Sequence, residues 1–154
     1  MLRDRAWIER HIPHRGSMCL LDGVAAWDAT AIRCSARSHR EADNPLRAHG
    51  RLGAACGIEY AAQAMAVHGA LLAPELHVER RGGYLTSLRG IELHVARLDD
   101  IEDDLMATAE RVTGDASTIL YEFRLTAGAR PLVAGRAAIV INPAAAGRGN
   151  WTRG

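Results

Sequence analysis

The sequence predicts an α+β fold in which a curved antiparallel sheet wraps one long central helix. The stretch 50–73 is apolar or small almost throughout, and between residues 52 and 72 the only formally charged side chain is Glu59. A surface helix normally carries a charged face, so a helix without one is expected in the interior. Two strand-like segments precede this stretch and about four follow it. That order favours a sheet that folds around the helix.

The first fifty residues predict a short helix and two strands. Residues 4–11 are expected to form the helix, which Pro13 ends. Residues 19–27 and 31–38 alternate apolar or small side chains with polar ones and predict two strands joined as a hairpin. The segment 39–50 is charged and contains Asn-Pro, so it is expected to be a loop that leads into the central helix.

The residues after the central helix change to strand character. A polar loop follows the helix, and four segments then alternate apolar and polar side chains, with Gly-containing turns between several of them: 84–95, 105–112, 117–127 and 131–141. No internal repeat is visible. We therefore expect one domain over residues 1–141 and a disordered tail over residues 142–154.

Composition and charge exclude several classes of protein. All nineteen basic residues are arginine, they are dispersed, and with eighteen acidic residues they give a net charge of +1, so nucleic acid is not an expected partner. The three cysteines have no paired or zinc-like spacing, so a disulfide framework and a metal site are not expected. The first residues carry no secretory signal, which predicts a cytoplasmic protein.

The central stretch has about the length of a membrane span, but its polar residues favour a water-soluble protein. Glu59, Gln63 and His68 lie inside it and would be costly in lipid. A helix that is apolar on every side needs more cover than one sheet provides. A second subunit would supply the rest, so a dimer is expected.

Glu59 has no basic residue at helical spacing. The positions three and four residues away on either side are Ala55, Cys56, Ala62 and Gln63. A carboxylate in such a setting is either satisfied by groups distant in the sequence or retained for chemistry.

Several motifs resemble those of one enzyme family. Residues 12–24, IPHRGSMCLLDGV, resemble the Leu-Pro-His-Arg opening of the β-hydroxyacyl-acyl carrier protein dehydratases, and GIEYAAQAMA at 57–66 is similar to that family's helix motif. Together with NPLR, YLTSLRGIELHVARLDD and YEFRLTAG, they resemble the dehydratase-like hot-dog proteins of aryl polyene and related pigment gene clusters. The resemblance covers roughly residues 12–141.

The resemblance implies a fold, a site and partners. The fold would be the hot-dog fold, with a thioester tunnel at the interface of a homodimer or a heterodimer, an acyl carrier protein as substrate carrier and no cofactor. In the family, a loop histidine abstracts the α-proton of a 3-hydroxyacyl thioester and an acid on the partner's helix protonates the leaving hydroxyl. A backbone N–H near the start of the helix polarises the thioester carbonyl. Glu59 matches the acid, and Gly57 lies where the amide is expected.

The catalytic base is the residue that the resemblance does not supply. The family's Gly-His-Phe-Pro-Gly loop is absent, and its place is taken by ADNPLRAHGRLGAACG. His49 is the only histidine in that loop and is a candidate base by position, although it lies closer to Glu59 in sequence than the family spacing requires. His14 matches a histidine in the family's opening, where the residue has a structural appearance.

The remaining candidates surround Glu59 or the expected tunnel mouth. Gln63 follows Glu59 by one turn and is expected either to hold its carboxylate or to satisfy backbone groups at the dimer interface. Cys56 precedes it by about one turn and is expected to be a small residue lining the substrate site. Arg47 and Arg51 are candidates to bind the acidic surface of a carrier protein.

Three functions fit these observations. The chain is a 3-hydroxyacyl-acyl carrier protein dehydratase, with Glu59 as the acid and a histidine, His49 by position, as the base. Alternatively, it is a non-catalytic partner subunit of a heterodimeric dehydratase, which would explain the missing loop motif. The third alternative is a hot-dog acyl thioesterase in which Glu59 activates water.

Overall fold

A computed structural model describes residues 2–75, 83–115 and 117–141. Its strands and α-helices follow in the order β1 Arg3–Asp4, α1 Arg5–His11, β2 Gly23–Trp27, β3 Ala31–Ala36, α2 Gly57–Glu75, β4 Gly83–Leu93, β5 Leu105–Gly114, β6 Thr118–Ala127 and β7 Arg130–Ile141. Three short 3-10 helices lie in the connections, at Gly16–Met18, Ser38–Arg40 and Ala54–Cys56.

The strands form one antiparallel sheet in the order β1-β2-β3-β5-β6-β7-β4. Because β3 pairs with β5, the chain leaves the sheet after β3, forms α2, and returns through β4 at the far edge. α2 packs against β3, β5 and β6. The predicted α+β arrangement of a long helix against a curved antiparallel sheet is therefore confirmed.

Alternation along the strands decides which side of the sheet faces α2. In β6, Tyr121, Phe123 and Leu125 are buried, whereas Leu120 and Arg124 are exposed on the opposite side. Successive strand residues point to opposite faces, so one face of the sheet contributes to the core and the other meets solvent.

The start of α2 lies close against the sheet at Gly57. A Cβ atom at this position would lie 2.7 Å from Leu125 Cδ2 and 3.1 Å from Val133 Cγ2. Only a glycine allows the backbone to approach β6 and β7 this closely. The contact fixes the end of the helix that carries Glu59.

The helix is not covered on every side within the single chain. Ala55, just before the helix, and Ala66 and Gly69 within it are exposed. Glu59 lies along the same stripe with 44% of its side chain exposed. The sheet covers only one side of the helix, which agrees with the expectation that this helix needs more cover than one sheet provides. Cover by a second subunit stays a prediction.

Most predicted boundaries agree with the structure to within a few residues, and one does not. The first long strand begins at Gly23 rather than at residue 19. The residues before it form a loop instead, because their backbone groups bond to side chains from α2 and from the segment after β3. The predicted loop after the helix and the predicted tail at 142–154 lie mostly or wholly outside the described residues.

Candidate active site

The loop that follows α1 is tied to that helix at several points. Ile12 caps the helix by donating its N–H to Ile8 O. Arg5 donates to Gly16 O at 2.8 Å, and Arg15 donates to Glu9 O at 2.8 Å. These bonds hold the residues on both sides of His14 against α1.

The loop places His14 beside Glu59. His14 Nε2 lies 3.7 Å from Glu59 Oε2, and the two side chains are 26% and 44% exposed. This separation is too long for a direct hydrogen bond but short enough for an ion pair when the imidazole is protonated. The other ring nitrogen, His14 Nδ1, is buried and has no hydrogen-bond partner among the described residues.

Glu59 occupies the first turn of α2, which is a favourable place for a carboxylate because the partial positive charge of the helix lies there. The sequence left open whether this acid is satisfied by distant groups or retained for chemistry. Its ion-pair partner, His14, is indeed distant in sequence, and both side chains remain partly accessible. An acid and an imidazole so placed can pass a proton to a small reactant or to each other.

The amide at the start of the helix differs from the prediction. The N–H of Gly57 donates to the carbonyls of Ala54 and Ala55, so the predicted donor to a thioester carbonyl is engaged within the helix start. The N–H of Ala55 has no acceptor within the described part of the chain. Ala55 lies one turn before Glu59 and is exposed.

Gln63 does not hold the carboxylate of Glu59. Its side chain is buried, and Oε1 accepts from Leu20 N at 2.9 Å while Nε2 donates to Met18 O at 2.9 Å. The amide instead satisfies backbone groups within its own chain. Its predicted place at the dimer interface stays a prediction.

Comparison with known proteins identifies the family of the chain. The model of the ApeP-like family, described as ApeP dehydratase, matches residues 6–147. The chain belongs to the ApeP-like dehydratase family. No curated protein sequence matches the chain.

Solved structures share the fold of this ApeP-like dehydratase. A chain of the dehydratase heterocomplex ApeI:P from Xenorhabdus doucetiae is 22% identical, with a TM-score of 0.77 over 87% of this chain and 90% of that one. A putative thioesterase from Shewanella oneidensis is 14% identical, with a TM-score of 0.63 over 90% and 94%. A mutant thioesterase from Pseudomonas aeruginosa is 14% identical, with a TM-score of 0.62 over 92% and 95%. The predicted hot-dog fold and dehydratase resemblance are confirmed.

In this ApeP-like dehydratase, His49 lies in a tight turn. It is exposed, its backbone is in the left-handed region with φ of 55°, and Ala48 and Arg51 pair on either side of it. Within the described residues it has no side-chain hydrogen bond or ion pair. Its predicted role concerns Glu59 of a second subunit and stays a prediction.

The other predicted residues are divided between structural contacts and open surface. Arg47 donates to the backbone carbonyl of Glu41 at 3.0 Å and so braces its own loop, whereas Arg51 is exposed. Cys56 is half-buried with its thiol 3.8 Å from Leu46 O, and burial raises the pKa of that thiol, which keeps it protonated. A nucleophilic role for Cys56 is not favoured.

The segment that precedes α2 is anchored to the chain after β4. Leu52 N donates to Asp99 Oδ1 at 2.9 Å, and Ala54 N donates to Ala96 O at 3.1 Å. Arg97, paired with Asp99, holds the pKa of that carboxyl well below its usual range. The position of the helix start, and of Glu59, is thus fixed from two sides.

A separate cavity of about 550 Å³ is lined in part by the loop that carries His14, at Ser17. It is lined mainly by charged and polar side chains, among them Arg5, Ser17, Asp22, Arg37 and Asn44. Neither His14 nor Glu59 lines it, so the cavity is separate from the pair.

His14 is the neighbour of Glu59 that the sequence does not indicate. The family resemblance gives this histidine a structural appearance, and no local pattern relates a loop before β2 to the first turn of α2. Gln63 is the residue whose need for hydrogen-bond partners points to this loop. A buried amide one turn after Glu59 needs backbone partners, and Met18 and Leu20 on the loop that follows His14 supply them.

Proposed function

We propose that this chain is a subunit of a 3-hydroxyacyl-acyl carrier protein dehydratase acting in fatty acid or polyene biosynthesis, and that His14 and Glu59 transfer the protons. The proximity of these two side chains, in a member of a dehydratase family, is the observation that supports the proposal most directly.

The chemistry requires one proton to be removed and another to be supplied. Neutral His14 takes the α-proton, the electrons of the C–H bond form the C=C bond, and the C–O bond breaks as Glu59, in its carboxylic acid form, protonates the departing hydroxyl. The products are an enoyl thioester, water, an imidazolium and a carboxylate. Transfer of the proton from His14 back to Glu59 across their short separation restores the starting state.

Charge that develops on the thioester oxygen needs a donor that is already in place. Ala55 is exposed about one turn before Glu59, and its N–H is not used among the described residues. We assign it the role that the sequence suggested for Gly57. The thioester arrives on an acyl carrier protein, and exposed Arg51, together with Arg15 beside His14, would contact its acidic surface.

A second hot-dog subunit is part of the proposal. β4 is a long edge strand, and Leu85, Leu88 and Leu93 on it are 41%, 39% and 50% exposed. These leucines pair in register with Ile139, buried Ala137 and buried Val133 of β7, so they lie on the side of the sheet that faces α2. An edge strand with apolar side chains is suited to pairing with another strand.

The chain leaves open whether that subunit is a copy of itself or a related protein. A dehydratase heterocomplex among the similar structures supports a related protein, and with it the alternative that this chain assists a catalytic partner.

The test is to incubate the protein with a 3-hydroxyacyl carrier substrate, alone and with a related hot-dog subunit, and to follow the loss of water by mass spectrometry. We expect Glu59→Gln and His14→Asn each to lower the rate about a hundredfold or more. His94→Gln, which changes an exposed histidine paired with Glu92, is the matched control and retains the wild-type rate.

Each outcome has a meaning. A large loss of dehydration rate in His49→Asn, with a wild-type rate in His14→Asn, would identify His49 as the base. Loss of water only with the related subunit, at a rate unaffected by His14→Asn or Glu59→Gln, would support the non-catalytic partner. Release of free thiol that depends on Glu59 would support the thioesterase alternative. No change in mass under either condition overturns dehydration.

A further inference from the structure

We propose that Gln63 and Tyr60 are positioning residues that set the separation of His14 and Glu59 by clamping Leu20 to α2. This inference rests on the proposed function. The clamp consists of Gln63, Tyr60 and Ser38, which together bind both the N–H and the C=O of Leu20.

Gln63 forms one side of the clamp. It accepts from Leu20 N and donates to Met18 O, so its amide bridges two backbone groups on the loop that leads away from His14. It is 1% exposed, and both ends of the amide are used. Loss of the bond to Leu20 N would leave a buried backbone N–H without a partner.

Tyr60 forms the other side through a directed chain of hydrogen bonds. Ser38 Oγ donates to Leu20 O at 2.8 Å, which uses its only hydrogen. Tyr60 must therefore donate to Ser38 Oγ, also at 2.8 Å, and it accepts in turn from Asn44 Nδ2 at 3.0 Å. Burial raises the pKa of the Tyr60 phenol, which keeps its hydrogen in place.

The clamp acts on His14 because the chain between them is stiff. A 3-10 helix at Gly16–Met18 fills most of that interval, and its turn bonds run from Met18 N to Arg15 O and from Cys19 N to Gly16 O. The bonds to α1 hold one end of the loop, and the clamp holds the other end to α2. Tyr60 is next to Glu59 in the sequence, and Gln63 follows Glu59 by one turn. The clamp therefore attaches the loop to the same turns of α2 that carry the acid.

The experiment separates positioning from general stabilisation by the pH profile. In Gln63→Met both bonds are lost, whereas in Gln63→Glu an ionised carboxylate accepts from Leu20 N but cannot donate to Met18 O. A protonated carboxyl group has the donor and acceptor pattern of the amide. We therefore expect the kcat of Gln63→Glu, relative to wild type, to recover as pH falls, while the ratio for Gln63→Met stays constant.

The expected loss is in kcat rather than in KM. A displacement of about 1 Å in a reacting group costs on the order of a hundredfold in rate, so Gln63→Met should lower kcat by about that factor with KM little changed. Rates are measured at temperatures where circular dichroism reports a fully folded protein.

Tyr60→Phe keeps the test available if the Gln63 variants do not fold. It removes one oxygen and should lower kcat about tenfold. Tyr121→Phe is the matched control, since it also removes a buried phenol oxygen. That oxygen is bonded to Nδ1 of His68 at 2.7 Å, and His68 lies nine residues beyond Glu59 on α2. That variant should lose stability and keep its kcat.

The results distinguish failure of this inference from failure of the proposed function. Wild-type kcat in folded Gln63→Met and Tyr60→Phe, with activity abolished in Glu59→Gln and His14→Asn, would overturn the clamp alone. Wild-type kcat in Glu59→Gln and His14→Asn would remove the function on which it rests. A flat pH ratio for Gln63→Glu would also overturn the positioning role.

Discussion

Two histidines that are fully buried among the described residues predict that the fold loses stability in mild acid. His39 and His68 are both 0% exposed, and burial lowers the pKa of each below its ordinary value of 6.5. His39 Nε2 donates to Ile101 O at 3.0 Å, while its Nδ1 is buried and has no hydrogen-bond partner among the described residues.

The sign follows from proton binding. Below its ordinary pKa each histidine is protonated in the unfolded chain, whereas the folded protein keeps it neutral. Unfolding therefore takes up protons, and stability falls as pH drops through about 6.5. A histidine that stays neutral in the fold down to pH 5 lowers the free energy of unfolding by about 2 kcal/mol between about pH 7 and about pH 5, so about 4 kcal/mol is the upper limit for the two together. That is a large share of the stability of a typical domain.

Urea unfolding across this pH range, at one protein concentration, measures the effect. His39→Asn should be less stable at neutral pH, because it loses the bond to Ile101, but its stability should depend about half as steeply on pH. His94→Gln should keep the wild-type slope. The reasoning is refuted if wild-type stability does not decrease toward pH 5, or if His39→Asn keeps the full slope.

Three further substitutions test other parts of the structure. Asp99→Asn weakens the acceptor for Leu52 N and removes the ion pair with Arg97. It should lower the free energy of unfolding, measured by urea titration, by about 2 kcal/mol. Wild-type stability of this variant would contradict the proposed anchoring of the helix start. Gly135→Ala places a Cβ 2.4 Å from Ile91 Cδ1 and 3.0 Å from Phe123 Cζ. This overpacking should lower the free energy of unfolding by about 1–3 kcal/mol and so lower the thermal midpoint. An unchanged midpoint would mean that the strands shift freely to make room for the added methyl group. Leu88→Lys on the β4 edge should weaken subunit association in analytical ultracentrifugation and leave the secondary structure intact; unaltered association would exclude this edge as the interface.

The fold was predictable from the sequence because its signals are local. The low charge of the central stretch, the alternation of the later strands and the turn residues between them all lie within short windows. The first strand was placed too early because Leu20 and Leu21 are buried and apolar, as strand residues are, yet they belong to a loop held by side chains. Periodicity cannot separate these two cases.

The candidate site was predictable only in part, because its two members come together through contacts distant in sequence. Glu59 was identifiable from one segment, since it is a single acid in an uncharged helix. His14 lies on a loop that Gln63 binds at Leu20 N, that Ser38, supported by Tyr60, binds at Leu20 O, and that α1 binds at Gly16. A base sought by its distance from Glu59 along the chain leads to His49. A base sought through the partners that a buried glutamine requires leads to the loop of His14, so buried polar residues beside an acid indicate which distant loop completes the site.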